Sequence, residues 1–158
     1  MSVAQITIEN LRQPNFEPHE FIDSVTARAK GIDNAPNVNQ LTAGIVLTKK
    51  MQELRDALNH PIHISSGFRC DALNKAVGGA PNSRHTQFLA CDFGINNMTP
   101  TEIVLAIRES GISVDKCFVE RNCVHLQTSL HESDNRNEFG NAKLVGGRWI
   151  VTNKIEAV

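Results

Sequence analysis

The sequence lacks two features that would indicate a membrane protein or a nucleic-acid-binding protein. Its 158 residues contain no apolar run close to the roughly 20 residues that a membrane-spanning helix needs, which argues against a membrane partner. It also lacks an excess of charge of one sign, since 16 lysines and arginines are balanced by 17 aspartates and glutamates. A polyanion-binding protein usually carries a basic excess, so this balance argues against a nucleic-acid partner.

The N-terminus lacks the pattern of a secretory signal. Met1-Ser2-Val3-Ala4-Gln5 offers neither a basic segment nor an apolar one, so no Sec signal peptide is expected. We therefore expect the protein to be made in the cytoplasm and to remain there unless another factor exports or releases it.

The order of sequence patterns predicts the fold class. The length favours one domain over residues 1–158, with a core at 16–128 and a C-terminal hairpin at 141–152. Helical periodicity comes first and strand alternation later, which predicts an α+β fold with N-terminal helices packed on a small, mainly antiparallel sheet. The predicted helices are 16–30, 38–59, 71–77 and 99–110, and the predicted strands are 62–66, 89–95, 116–120, 123–128, 141–145 and 148–152, the last two joined by Gly146-Gly147.

Three residues form a candidate metal site. His85 is followed seven residues later by Asp92, and much later by His125. Two imidazoles and one carboxylate are a ligand set of catalytic zinc, with one coordination position left for water. A structural zinc would normally take four protein ligands, mostly thiolates. The set therefore predicts a hydrolytic site.

A predicted hairpin places an acid beside the last of these ligands. If residues 121–122 form a two-residue turn, Glu120 pairs with Cys123, and Phe118 pairs with His125. All four side chains then share the face of the sheet that is turned away from the core. A hydrolytic zinc also needs a base that takes a proton from water, and Glu120 is the candidate for this catalytic role.

The motifs around these residues resemble a known family. Ser-Gly-Phe-Arg at 66–69, Leu-Asn at 73–74 and Val-Gly-Gly at 77–79 lead into Ser83-Arg84-His85, and Ala90, Asp92 and Val124-His125 follow in order. This run, over about residues 16–128, resembles the zinc D-Ala-D-Ala carboxypeptidase-like peptidoglycan peptidases, including the cell-wall endolysins of phages.

The resemblance implies a substrate, a cofactor and further site residues. The substrates would be peptidoglycan stem peptides or their cross-links, and the cofactor would be Zn²⁺. Arg69 would be a catalytic-site residue that binds a substrate carboxylate or carbonyl oxygen, for which a forked guanidinium is suited. Ser83 would either bind substrate or cap the turn before His85. The protein would act in the cell wall after release from the producing cell, or as part of a virion.

Two positions depart from the family pattern. Phe88 stands where glycine is expected between the first two ligands, which bears on the shape of the substrate groove. Cys123 stands where relatives often have tryptophan or histidine, which bears on the identity of the acid/base group. These departures leave open a second reading, an inactive virion or wall-binding module of the same fold. A third reading is a cytoplasmic dipeptidase that acts on D-Ala-D-Ala. Asn122 argues against it, because such enzymes usually have a glutamate at this position.

The four cysteines show no Cys-x-x-Cys pair. We interpret them as buried reduced thiols. Cys91 and Cys123 lie near predicted ligands in the sequence, so a thiolate as a further zinc ligand is an open alternative. Such a ligand would occupy the coordination position that catalysis needs for water.

Overall fold

The computed structural model describes residues 5–145 and 148–152, with side chains described as far as Asn141. Met1–Ala4, on which the signal-peptide expectation largely rests, lie outside the described residues, as do Gly146-Gly147 of the predicted terminal turn. None of the helices within the described ranges is long and apolar enough to cross a membrane.

The described α-helices lie before residue 111, close to the predicted positions. The longest, α2, begins where Asn37 and Gln40 cap each other, the Asn37 side chain accepting from the Gln40 backbone and the reverse. It ends at Asn59, whose left-handed φ of 54° terminates the helix. The α-helices of the described part of the chain are α1 (Val25–Lys30), α2 (Val38–Leu58), α3 (Asp71–Ala76) and α4 (Pro100–Ser110).

The first predicted helix is wrong in its extent. Residues 16–30 form a 3-10 turn at Pro18–Phe21 and then the separate helix α1, whose first turn is capped by the Ser24 hydroxyl. The break has a long-range cause. The Phe21 carbonyl accepts a hydrogen bond of 2.7 Å from the backbone N–H of Phe68, so it does not accept the intrahelical bond that a continuous helix would need.

The described residues form a six-stranded sheet that is mainly antiparallel, which confirms the predicted class. The strand order is β1-β2-β4-β3-β5-β6, and within the described ranges β3 and β5 pair in parallel while the other pairs are antiparallel. The strands are β1 (His63–Ser66), β2 (Ala90–Gly94), β3 (Lys116–Glu120), β4 (Cys123–Gln127), β5 (Glu138–Val145) and β6 (Arg148–Thr152).

The start of β5 differs from the prediction. This strand begins at Glu138 rather than at residue 141, inside a segment predicted to be a polar loop. Asn137 anchors the entry, because its side chain accepts from the backbone N–H of Val114 and its own N–H donates to the Val114 carbonyl. This pairing aligns the chain beside β3 in the parallel direction.

The neighbouring strands β2 and β4 separate a core face from a polar face. Cys91, Phe93, Val124 and Leu126 are fully buried on the core face, in one cluster with apolar residues of α2 and α4. Strand alternation turns their neighbours to the opposite face. There Asp92 lies directly opposite His125.

Candidate metal centre

Asp92 and His125 meet across two paired strands. The β3–β4 hairpin has the predicted register, with Phe118 opposite His125 and Glu120 opposite Cys123. The His125 ring stacks on Phe118 with an interplanar angle of 10°. Its Nδ1 atom lies 2.9 Å from Asp92 Oδ1. Backbone pairing and ring stacking thus hold an imidazole nitrogen against the carboxylate.

His85 reaches the same carboxylate from a 3-10 turn at Arg84–Gln87. Its Nδ1 lies 2.7 Å from the Gly67 carbonyl oxygen, and its Nε2 lies 3.3 Å from Asp92 Oδ1. Because a carbonyl only accepts, Nδ1 carries a proton, and Nε2 is the nitrogen that faces the carboxylate. Gly67 is required here, since a β-carbon would come within 2.3 Å of the Phe21 carbonyl oxygen.

Ser83 caps this turn. Its hydroxyl accepts from the backbone N–H of His85 at 3.2 Å, and its carbonyl accepts from the Thr86 hydroxyl at 2.6 Å. These bonds show that Ser83 caps the turn. Ser83 also lines the cavity described below, and binding of substrate by Ser83 stays a prediction.

The three residues fit a zinc ion. Their ligand atoms all lie within 4.8 Å of one another, and they are the group of three that converges in the described part of the chain. Ligands at the usual zinc distances of about 2.0–2.2 Å in tetrahedral geometry are themselves about 3.3 Å apart. The separations of 2.9 and 3.3 Å are close to that value.

The electrostatics of the site favour a cation. Burial alone would raise the pKa of the Asp92 carboxyl, but hydrogen bonds from His125 and His85 outweigh it and hold that pKa well below its usual range. Burial alone would lower the pKa of His125, but the Asp92 carboxylate outweighs it and raises that pKa. Asp92 is therefore fully ionised at neutral pH, with both imidazoles facing it.

Arg69 lies on the other side of the same carboxylate. Its Nη2 is 3.4 Å from Asp92 Oδ2, its Nε donates to the Ser66 hydroxyl at 3.1 Å, and its Nη1 donates to the Asn74 side chain at 3.3 Å. Asn74 is in turn fixed by donating to the Ala80 carbonyl. The guanidinium plane is thus held at the wall of the cavity next to the predicted ligands.

The predicted ligands form the floor of an open cavity of about 560 Å³. Basic side chains predominate around it. Five lysines and arginines among the described residues line it, against two acidic residues, although acids slightly outnumber bases in the whole chain. The basic residues are Arg69, Arg84, Lys116, Arg121 and Arg136, and the acidic ones are Asp92 and Glu120.

Glu120 lies at this cavity, as the hairpin geometry predicts. Its Oε2 is 3.7 Å from His125 Nδ1, and the side chain is about one third exposed. A carboxylate in this position borders the ligands and remains in contact with solvent. It is therefore placed to exchange protons with a group bound between them.

The cysteines are free thiols. Cys91 is buried on the core face, away from Asp92. Cys123 lines the cavity, but burial first and then the nearby charges of Asp92 and Glu120 raise its pKa to about 12. A thiol that stays protonated at neutral pH is a poor base, and in this structure neither thiol belongs to the three-residue cluster.

Phe88 does not shape the cavity. Its side chain is fully buried and packs in the core on Phe68, with ring centroids 5.2 Å apart. The ring points into the core towards Gly44 of α2 and does not line the cavity that contains the predicted ligands. Phe88 therefore does not alter the shape of the substrate groove through its side chain.

Sequence reasoning missed a row of polar residues behind His125. Gln127 contacts His125 Nε2, Asp115 contacts Gln127, and Arg136 contacts Asp115. Strand alternation would have shown that Gln127 shares a face with His125. Asp115 and Arg136 have no such local signal, because their meeting depends on the path of the chain into β5.

This fold and site define the class of the protein. A family model for Peptidase M15 matches residues 14–127, and the chain belongs to this family. It is also similar to the zinc D-Ala-D-Ala carboxypeptidase of Streptomyces albus G, with 30% identity over 110 residues. That alignment covers 67% of this chain and 43% of the relative, so the chain spans less than half the length of that protein.

Proposed function

We propose that this member of the Peptidase M15 family is a zinc-dependent peptidase that cleaves a peptide bond in peptidoglycan stem peptides or their cross-links. The observation that carries the proposal is the convergence of His85, Asp92 and His125 on the floor of an open, basic cavity. The similarity to a zinc D-Ala-D-Ala carboxypeptidase supports both the metal and the substrate class.

His85 Nε2, Asp92 Oδ1 and His125 Nδ1 would hold the zinc ion. When bound, zinc supplies Lewis acidity, which polarises a scissile carbonyl and lowers the pKa of a water molecule towards ~7. Three protein ligands leave a coordination position open, as a catalytic site requires. The carbonyl of Gly67 and the Phe118 ring hold the two imidazoles in the orientation that this binding needs.

Arg69 would anchor the substrate. Three of its nitrogens are already held by Ser66, Asn74 and Asp92, which leaves an N–H on each terminal nitrogen for a further acceptor. A substrate carboxylate or carbonyl oxygen in the cavity is the acceptor that suits them. Because the guanidinium is held on three sides, little side-chain entropy is lost when substrate binds.

The charge of the cavity wall supports an anionic peptide as substrate. Basic residues line this cavity in excess over acids, and a second hollow of about 420 Å³ shares Arg84 and Arg136 with it. Two adjoining hollows offer contacts to a chain of several residues rather than to a free dipeptide alone. This shape favours a stem peptide over the dipeptide of the third reading.

Glu120 would act as the general base. Its carboxylate borders His125 Nδ1, so it can take a proton from a water molecule held between the ligands and pass it to the leaving amine. The neighbouring Cys123 thiol is unsuited to this role because of its raised pKa.

Product analysis tests the proposal directly. Zinc-loaded protein is incubated with purified sacculi and with a synthetic stem peptide ending in D-Ala-D-Ala, and the fragments are identified by mass spectrometry. We expect new peptide fragments with the wild-type protein and none with His85→Ala. The masses of the fragments identify the bond that is cut.

The competing reading is an inactive virion or wall-binding module, motivated by Cys123 at a position where relatives often have tryptophan or histidine. A zinc-loaded wild-type protein that leaves sacculi and stem peptides intact would favour this reading over ours. Activity in phage lysis or in a virion is a narrower prediction from the motif resemblance. Assay of wall lysis during infection by a phage lacking the gene would test it.

A further inference from the structure

A row of hydrogen-bonded polar side chains runs from His125 to the rim of the cavity. His125 Nε2 lies 3.2 Å from Gln127 Oε1, and Gln127 Nε2 lies 2.8 Å from Asp115 Oδ2. Asp115 in turn accepts two hydrogen bonds of 2.9 Å from the Nε and Nη2 of Arg136. Gln127 and Asp115 are buried, with 8% and 2% exposure, whereas the Arg136 side chain is half exposed.

Each contact in this row determines the next one. Arg136 has only donors, and its two bonds keep Asp115 ionised, with a pKa lowered to about 2. A carboxylate only accepts, so the Gln127 amide must turn its NH₂ group to Asp115 and its oxygen to His125. That oxygen also only accepts, so His125 must carry its proton on Nε2. Nδ1 is then the nitrogen that faces Asp92 and His85 and is placed to bind a metal ion between them.

The backbone holds the row in register. The N–H of Asp115 donates to the Gln127 carbonyl at 2.9 Å, and the N–H of Arg136 donates to Asp115 Oδ1 at 3.2 Å. The side-chain contacts therefore follow from the entry into β3 and from the segment that leads to β5. They are part of the fold rather than chance encounters of surface side chains.

We propose that Gln127 is the positioning residue that fixes the tautomer and ring orientation of His125 for metal binding, with Asp115 and Arg136 fixing Gln127. The inference rests on the proposed metal site and adds residues that support one ligand from behind. Outer partners of this kind typically contribute about 10- to 100-fold to metal affinity. The use of a neutral amide keeps the negative charge of Asp115 one residue away from the ligand.

The row also links the metal ligand to the substrate cavity. Arg136 lines the cavity wall and is the outermost member of the row. A change at Arg136 therefore loosens Asp115, then Gln127, and then the His125 ring. Zinc affinity should be sensitive to a residue that never touches the metal.

The experiment compares two equally buried glutamines. Gln127→Met keeps the side-chain length but removes both hydrogen bonds. Gln52→Met is the matched control, because Gln52 of α2 is also 8% exposed, bonds to the carboxylate of Asp56 and to the amide of Asn15, and does not line the metal-site cavity. Zinc affinity is measured by competition with a chelator, and the His125 ring N–H is followed by nitrogen-15 NMR in the zinc-loaded protein.

The expected result separates positioning from stability. Both variants should lose stability, but only Gln127→Met should bind zinc about 10- to 100-fold more weakly. In zinc-loaded wild type, His125 should bind through Nδ1 and show a slowly exchanging Nε2–H, which Gln127→Met should lose. Asp115→Asn should show a smaller loss of the same kind. An amide at position 115 can donate as well as accept, so it no longer dictates the orientation of the Gln127 side chain.

Two results would overturn the proposal. One is wild-type zinc affinity in Gln127→Met. The other is a zinc-loaded wild-type spectrum in which His125 binds through Nε2, which remains measurable if Gln127→Met does not fold. Wild-type protein that binds no zinc at all would instead count against the proposed function.

Discussion

The ring of Phe88 lies so close to Gly44 that a β-carbon on Gly44 would be 2.9 Å from three atoms of the ring. Phe88 itself has a left-handed backbone, with φ of 60°. Glycine adopts this conformation without strain, which accounts for the glycine that the family pattern has here. In this chain an aromatic side chain occupies the position, and a glycine on α2 makes room for its ring.

This contact predicts an unusual response to a helix-stabilising substitution. In a helix interior, Gly→Ala normally stabilises by about 1 kcal/mol. Gly44→Ala should instead lower the free energy of unfolding by about 1–3 kcal/mol, because the ring has to move. Urea unfolding measures the change, with the exposed Thr42→Ala on the same helix as control. A Gly44→Ala protein more stable than wild type would contradict the packing argument.

Metal content tests the ligands separately from activity. The wild-type protein should contain one zinc per chain by elemental analysis, and His85→Ala should lose most of it. His63→Ala is the control, because His63 is exposed on β1 and is not in the ligand cluster. Full zinc occupancy in His85→Ala would remove this residue from the ligand set.

Arg69→Lys tests the forked contact with substrate. The variant should fold and bind zinc, but a single ammonium cannot replace the bonds to Ser66, Asn74 and a substrate oxygen together. We expect kcat/KM to fall about 10- to 100-fold, which corresponds to the ~1.5–3 kcal/mol of a hydrogen bond to a charged group. Arg28→Lys on the surface of α1 is the control. Unchanged kinetics would show that Arg69 is structural.

Glu120→Gln tests the general base. The variant should keep its zinc and its melting temperature, while turnover falls by ~10²–10⁴ and the acidic limb of the pH–rate profile changes. The exposed Glu109→Gln on α4 is the control for loss of one carboxylate. If Glu120→Gln retains full turnover, the proton is carried by another group.

Asp115 predicts a specific acid sensitivity. Its pKa is held at about 2 by Arg136, below the ordinary value of 3.8. Because the pKa is lower in the folded state than in the unfolded state, the ionised carboxylate stabilises the fold fully at a pH above 3.8. This stabilisation is lost as the pH falls from 3.8 to about 2. The stability difference between wild type and Asp115→Asn should therefore shrink by about 2 kcal/mol from neutral pH to pH ~2. Urea unfolding of both proteins across this range measures it, and a constant difference would contradict the role of the carboxylate.

The hairpin part of the site could be predicted because its signals are local. A two-residue turn at 121–122 determines which residues of β3 and β4 face each other, and alternation then determines their faces. This reasoning predicted the register of Glu120, Phe118 and His125 correctly.

The remainder depends on contacts between distant parts of the chain. The first helix is interrupted because Phe68 takes the carbonyl of Phe21, 47 positions earlier, which no local pattern indicates. Likewise, the parallel pairing of β5 with β3 follows from the Asn137–Val114 anchor rather than from strand alternation. The support of His125 by Asp115 and Arg136 depends on that pairing, and so it could not be foreseen.

The apolar core beneath the metal ligands has a consequence for how the protein handles its cofactor. In small zinc domains the energy of metal binding is also the energy of folding, so chelation unfolds them. Here Phe93, Val124 and Leu126 are completely buried behind the ligand-bearing strands and join a core shared with α2 and α4. This core predicts that the chain folds without its metal. We therefore expect that zinc can be removed with a chelator from the folded protein and replaced by cobalt, which would give the site a visible absorption spectrum.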